Sequence, residues 1–222
     1  MATPQPLLTK RSKLPIRISP VKREDMLECA EGQLNAFGTR MYLELEPLET
    51  RAPPEVRYRR FAARHARLLD LPGQRVMKAT VEERDGTERI AGLAWWHLPG
   101  SPIENAQKRD VSQPRFDDEA EDWEAFDWER WNAMLSGYDA VRKEKMGDEE
   151  HWYLGPLWTA VDYQGEGIAS ALLAEVIAIA DSTTPPTPMY LEASPAGQPV
   201  YAKMGYVRID GTETAMLRRG AA

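Results

Sequence analysis

Trp152-Tyr153-Leu154-Gly155-Pro156-Leu157-Trp158-Thr159-Ala160-Val161 runs into Asp162-Tyr163-Gln164-Gly165-Glu166-Gly167, and Ile168-Ala169-Ser170-Ala171-Leu172-Leu173 follows. The first segment is apolar enough for a buried strand, the second is a turn with two glycines, and the third opens a strongly apolar helical run to Ala180. Strand, tight turn and helix N-terminus together make an anion site. Amides at a helix start have no partner within the helix, and the aligned peptide dipoles place partial positive charge there. A phosphate or pyrophosphate group fits this turn. Upstream, Gly155-Pro156 interrupts the strand, because proline cannot donate to a sheet ladder and glycine marks bulges. Backbone groups freed there are available to a ligand.

Working outward, Leu14–Ile18 alternates like a short first strand, and Lys22–Phe37 carries Met26, Leu27, Ala30, Leu34 and Phe37 at helical spacing. A second helix is expected from Pro53 or Pro54 to about Leu69; the basic run Arg51, Arg57, Arg59, Arg60, Arg64 and Arg67 reads as a solvated face, with contact to an acidic ligand or phosphate tail as the alternative. Arg75–Arg84, Asp85-Gly86 and Ile90–Leu98 spell a hairpin, with His97 at a core or rim position. From Pro99 to Asp122 the chain is polar and acidic without period, a mobile insertion, and a helix is expected over Trp123–Met146. That insertion could instead cover an amine-binding cleft. Beyond the apolar helix, Met189–Ala193 is a strand, Gly197–Lys203 a short helix, and Tyr206–Ile209 a last strand. Residues 1–13 read as a disordered arm, with one domain over residues 14–222 and the insertion at about 99–147.

Composition narrows the class. The formal net charge of -7 and pI near 5.2 argue against nucleic-acid or anionic-membrane partners. A single cysteine, Cys29, excludes an internal disulfide, and His65, His97 and His151 have no zinc-site spacing, so no metal is expected. No apolar run spans a bilayer, and a cytoplasmic location is the default expectation.

Gln164-Gly165-Glu166-Gly167-Ile168-Ala169 resembles the pyrophosphate motif of the Gcn5-related N-acetyltransferase (GNAT) superfamily, Gln/Arg-x-x-Gly-x-Gly/Ala. Leu191-Glu192-Ala193-Ser194, followed by Tyr201-Ala202-Lys203-Met204-Gly205-Tyr206, is similar to that family's later strand and terminal Tyr-x-x-x-Gly-aromatic segment. The resemblance is close over Tyr153–Tyr206. It implies an α/β fold with a central mixed sheet splayed at the motif strand, and acetyl transfer from acetyl-CoA to a primary amine of a small molecule or peptide.

In that reading Gln164, Gly165, Glu166, Gly167, Ile168 and Ala169 cradle the pyrophosphate of acetyl-CoA, while Leu157 and Thr159 hold the pantetheine arm through their main chain. Leu157 N–H is the candidate to polarise the thioester carbonyl. His151 and Glu192 are the candidate bases for the amine; His151 also reads as a surface or strand-edge histidine and Glu192 as a solvated strand residue. Tyr201, by the same resemblance, protonates the departing thiolate. Two other classes remain open: a non-catalytic acyl-CoA-binding module, and a dinucleotide-binding oxidoreductase. The latter is suggested by Gly165-x-Gly167, but Ser170 stands where a third glycine belongs and too little chain follows Glu192.

Overall fold

The computed structural model describes residues 15–37, 41–109 and 123–220. Its strands are β1 (Ile16–Pro20), β2 (Gln74–Glu82), β3 (Glu88–His97), β4 (Trp152–Thr159), β5 (Met189–Glu192), β6 (Val207–Arg208) and β7 (Ala215–Arg218). They form one mixed sheet in the order β1-β2-β3-β4-β5-β7-β6. Only β4 and β5 pair in parallel; the other neighbours are antiparallel. The helices are α1 (Met26–Phe37), α2 (Met41–Leu45), α3 (Pro54–Leu68), α4 (Trp128–Met146), α5 (Ile168–Asp181) and α6 (Gln198–Lys203).

Helices α5 and α6 cover one face and α1, α3 and α4 the other. Helix α5 buries Ile168, Leu172, Leu173, Val176 and Ala180, each large aliphatic side chain contributing about 1.5–3 kcal/mol, against Ala94, Trp96, Leu154 and Leu191. On the opposite face Trp158 and Trp95 pack with Met26 and Cys29 of α1. Gly32 admits the Trp158 ring: a Cβ there would lie 2.4 Å from its Cη2. Burial pushes the Cys29 thiol up to about 12, consistent with a packing role.

Three sequence expectations are corrected. The α3 arginines are not simply a solvated face, because Arg57 and Arg60 are buried against Glu46, at 2.9 and 2.6 Å, and the Arg60 guanidinium lies 4.3 Å from the Trp123 ring centroid. A charge run looks solvated in one dimension; its acidic partner comes from a different element. The helix expected from Trp123 starts at Trp128, since Trp123 and Phe126 turn inward onto Phe61 and the Asp127 carboxylate caps the helix by accepting from Arg130 N–H at 2.9 Å. Finally, Tyr206–Ile209 is not the last strand, because β7 follows and inserts between β5 and β6. The expected arm at 1–13 and residues 110–122 of the insertion lie outside the described residues. Among the described residues no helix is long and apolar enough to cross a membrane.

Glu46→Ala removes the carboxylate that both buried guanidinium groups face. The expected cost is about 3–5 kcal/mol, read from urea unfolding; a loss below about 1 kcal/mol would show that the cluster is not stabilising in the folded state.

Candidate active site

Strands β4 and β5 are in parallel register only over Trp152–Leu154 and Met189–Leu191. Between the pairs Trp96↔Leu154 and Ala94↔Leu157, β4 uses three residues where β3 uses two, so Gly155-Pro156 forms a bulge on β4. The extra residue switches the side-chain alternation, sending Leu157 to the α5 face and Trp158 to the α1 face. Beyond the bulge β4 stays with β3, while β5 stays with β7, Glu192 pairing with Ala215 and Ala193 N–H donating to Thr214 O at 2.8 Å. A wedge opens between the two parallel strands.

Hydrogen-bond parity determines what faces the wedge. Ala160 N–H donates to Ala91 O at 2.9 Å, so Ala160 and, two residues back, Trp158 direct their main-chain groups to β3. Leu157 and Thr159 therefore direct theirs away from β3, into the wedge. The Thr159 carbonyl is already taken by Gln164 Nε2 at 3.4 Å.

The wedge leads to the glycine turn. Gly165 (φ 83°) and Gly167 (φ 88°) adopt left-handed backbone, and a Cβ at either would meet nothing within 4 Å. Both are required by conformation, and the space in front of them is open. Gln164 and Glu166 amides bond to Val161 O and Tyr163 O, at 3.3 Å each, whereas those of Gly165, Gly167, Ile168, Ala169 and Ser170 bond to no oxygen among the described residues. Five free amides at the positive end of a 14-residue helix form an anion cradle. Gly92 seats it: a Cβ there would lie 2.7 Å from Ile168 Cγ2.

On the α4 face Tyr153, Tyr190 and Glu192 line up from the paired ends of β4 and β5. Glu192 stands where the strands part, its Oε1 buried without a hydrogen-bond partner. Burial raises its carboxyl to about 7, opposed by the phenols of Tyr153 and Tyr190 and by the Arg142 guanidinium. This differs from a solvated strand residue: α4 closes over the face that strand alternation alone leaves open.

His151 shares that face but sits at the other end of the pairing, about 13 Å from Glu192 along the strands given a rise of about 3.3 Å per residue. Its Nδ1 contacts Glu149 O at 2.6 Å, and burial lowers its pKa. The structure does not bring it together with Glu192. His97 is buried as expected, stacked 5.4 Å from Tyr153, and burial lowers it to about 4. Tyr201 lies on the opposite, α5 face, its ring against Tyr206 at 5.9 Å, and burial pushes its phenol up to about 12. Tyr153, Tyr190, Arg142, Asn105 and Gln107 escaped the sequence reading. Strand alternation links Tyr190 with Glu192, but only the register adds Tyr153 and only tertiary packing adds the other three. Among the described residues no cluster of metal-ligating side chains occurs.

A mixed sheet parted beside its only parallel pair, with an anion cradle at the end of the gap, defines a cofactor-binding α/β fold of the acyltransferase type. Residues 115–216 match the family model of the acetyltransferase (GNAT) domain. The fold is similar to a histone acetyltransferase HPA2-related acetyltransferase from Corynebacterium glutamicum, at 21% identity and a TM-score of 0.50, covering 93% of this chain and 97% of that one. Other similar structures are the PaiA N-acetyltransferase of Thermoplasma acidophilum in complex with coenzyme A (14% identity, TM-score 0.49, 92% and 99% covered) and a GNAT family acetyltransferase of Brucella melitensis in complex with acetyl-CoA (15%, 0.45, 92% and 88%). No curated protein matches the chain in sequence.

Because the folded carboxyl of Glu192 titrates at about 7 instead of its ordinary 4.5, the folded state binds that proton more tightly than the unfolded state. Its contribution to stability is therefore lost as pH rises from about 4.5 to about 7 and stays lost above. Glu192→Gln removes the penalty. The variant is expected to be more stable than the parent at pH 8, by on the order of 2 kcal/mol, and to lose that advantage by pH 4; thermal melts at both pH values check it.

Proposed function

We propose that the protein is an acetyl-CoA-dependent N-acetyltransferase that transfers the acetyl group to a primary amine by direct attack on the thioester. The observation that carries this reading is the wedge itself, with Leu157 and Thr159 amides facing it and five free amides at its end. The pyrophosphate sits on Gly165–Ala169, with Gln164 and Glu166 flanking, and the pantetheine arm bonds to Leu157 and Thr159. Leu157 N–H donates to the thioester carbonyl, a bond that strengthens as the oxygen gains charge. The acetyl-CoA-bound and CoA-bound structures named above support the choice of cosubstrate.

Glu192 is assigned as the base. A carboxylate whose pKa is raised to about 7 is basic enough to take a proton from the amine as it attacks. Tyr201 is assigned as the acid. Its raised pKa keeps it protonated through the physiological range, so it hydrogen-bonds the sulfur as the C–S bond breaks and recovers its proton from solvent. The proton leaves the amine on the α4 face and reaches the thiolate from the α5 face. His151, remote from Glu192, takes no step. Residues 14–222 are read as one domain carrying the insertion at about 99–147.

Calorimetric titration tests the reading: acetyl-CoA is expected to bind and NADH is not, whereas tight NADH binding without acetyl-CoA binding would sink it in favour of an oxidoreductase. Gly167→Trp is expected to weaken acetyl-CoA at least tenfold in a folded protein, because the side chain fills the open face of the turn. Tyr201→Phe is expected to lower turnover about 100-fold and leave acetyl-CoA affinity within threefold, measured by thiol release across a panel of primary amines. Unchanged turnover would remove Tyr201 from the mechanism, and acetyl-CoA binding without transfer to any amine would favour the binding module.

A further inference from the structure

The segment between β3 and α4, read from sequence as mobile, is pinned over residues 102–109 onto the α4 face of the wedge. Arg142 of α4 donates to the carbonyls of Pro102 and Ile103 and lays its guanidinium 3.8 Å from the centroid of the Tyr153 ring. Asn105 is buried; its amide N–H donates to Asp139 Oδ2 at 2.9 Å, its Oδ1 accepts from Gln107 N–H at 2.9 Å, and its Nδ2 reaches the Tyr153 hydroxyl at 3.5 Å. Gln107 in turn reaches back to the bulge, its Nε2 3.5 Å from Gly155 O, and its own carbonyl is held by Trp131 Nε1 at 2.9 Å. His97 stacks on the Tyr153 ring, with centroids 5.4 Å apart.

The phenol is thus held by Arg142, Asn105 and His97, and it is held at a particular place. A Cβ on Gly155 would lie 3.2 Å from the Tyr153 hydroxyl, so the hydroxyl hangs over the bulge where β4 and β5 separate. Glu192 stands at the same parting on β5, with its Oε1 buried and lacking a hydrogen-bond partner.

We propose that Tyr153 is the positioning residue of the Glu192 carboxylate, and that residues 102–107 with Arg142 reach the catalytic centre through it: Asn105 and Arg142 hold the phenol, and the phenol holds the carboxylate at the mouth of the wedge. This rests on the assignment of Glu192 as base. The groups facing Glu192 are Tyr153 from β4, Tyr190 from β5, and Tyr138, Asp139 and Arg142 from α4. Tyr153, Tyr190 and Arg142 favour the carboxylate form, while burial and Asp139 favour the acid. Removing the Tyr153 hydroxyl therefore makes Glu192 harder to ionise.

The titration of Glu192 is followed directly by carboxyl infrared absorption, with Glu192→Gln as the blank, in the parent protein and in Tyr153→Phe and Asn105→Ala backgrounds. The midpoint is expected to rise by one pH unit or more in Tyr153→Phe and by a smaller amount in Asn105→Ala. In thiol release with acetyl-CoA and propylamine, the acidic limb of the kcat profile moves up by the same interval with KM for acetyl-CoA unchanged. A Glu192 midpoint that stays put in folded Tyr153→Phe overturns the proposal, whatever the activity does. Full transfer by Glu192→Gln would instead overturn the assignment of Glu192 as base, leaving the infrared result to judge the positioning by itself.

Discussion

The parting of β4 from β5 at the Gly155-Pro156 bulge is the constraint on which the rest of the structure depends. Proline supplies no amide and the bulge inserts one residue, so the ladder to β5 cannot continue, while the bonds from Trp158 and Ala160 keep β4 on β3. Leu157 and Thr159 are left with main-chain groups facing a gap in the sheet. The same extra residue turns Trp158 toward α1, where Gly32 receives its ring, so the gap and the packing on the other face share one cause. Both edges of the gap are tied to antiparallel partners, which allows it to stay open without a ligand.

The two faces of the sheet then divide the chemistry. The α5 face supplies the cradle and Tyr201; the α4 face supplies Glu192 inside a shell of phenols, carboxylate and guanidinium. The proposed base and the proposed acid thus lie on opposite faces, and each acquires its pKa from its own surroundings. Burial raises Glu192 into the neutral range and the Tyr201 phenol to about 12.

Much of this was legible in one dimension because it is local. The strand, the glycine turn and the apolar helix that follows are contiguous, and φ near +85° at Gly165 and Gly167 is what such a turn demands. The break at Gly155-Pro156 was readable from the absent amide alone. The α4 face was not: Asn105 and Gln107 come from a stretch without period, and no pattern within residues 99–109 announces that it is held by Arg142 of α4 and by Tyr153. Likewise Arg57 and Arg60 looked solvated because Glu46, which buries them, lies on the preceding connection. Strand β7 was missed because a four-residue strand placed between β5 and β6 carries its signal in its partners. His151 and Glu192 have the same parity on neighbouring strands, and only the register shows that they occupy opposite ends.

The central claim is that the wedge and the glycine turn form one continuous coenzyme A site. Residue-resolved amide hydrogen exchange with and without coenzyme A tests it most directly. Protection is expected at Leu157 and Thr159 and across Gly165–Ser170, with Trp158 and Ala160, already bonded to β3, unchanged. Coenzyme A that binds while leaving Leu157, Thr159 and the turn unprotected would contradict the account.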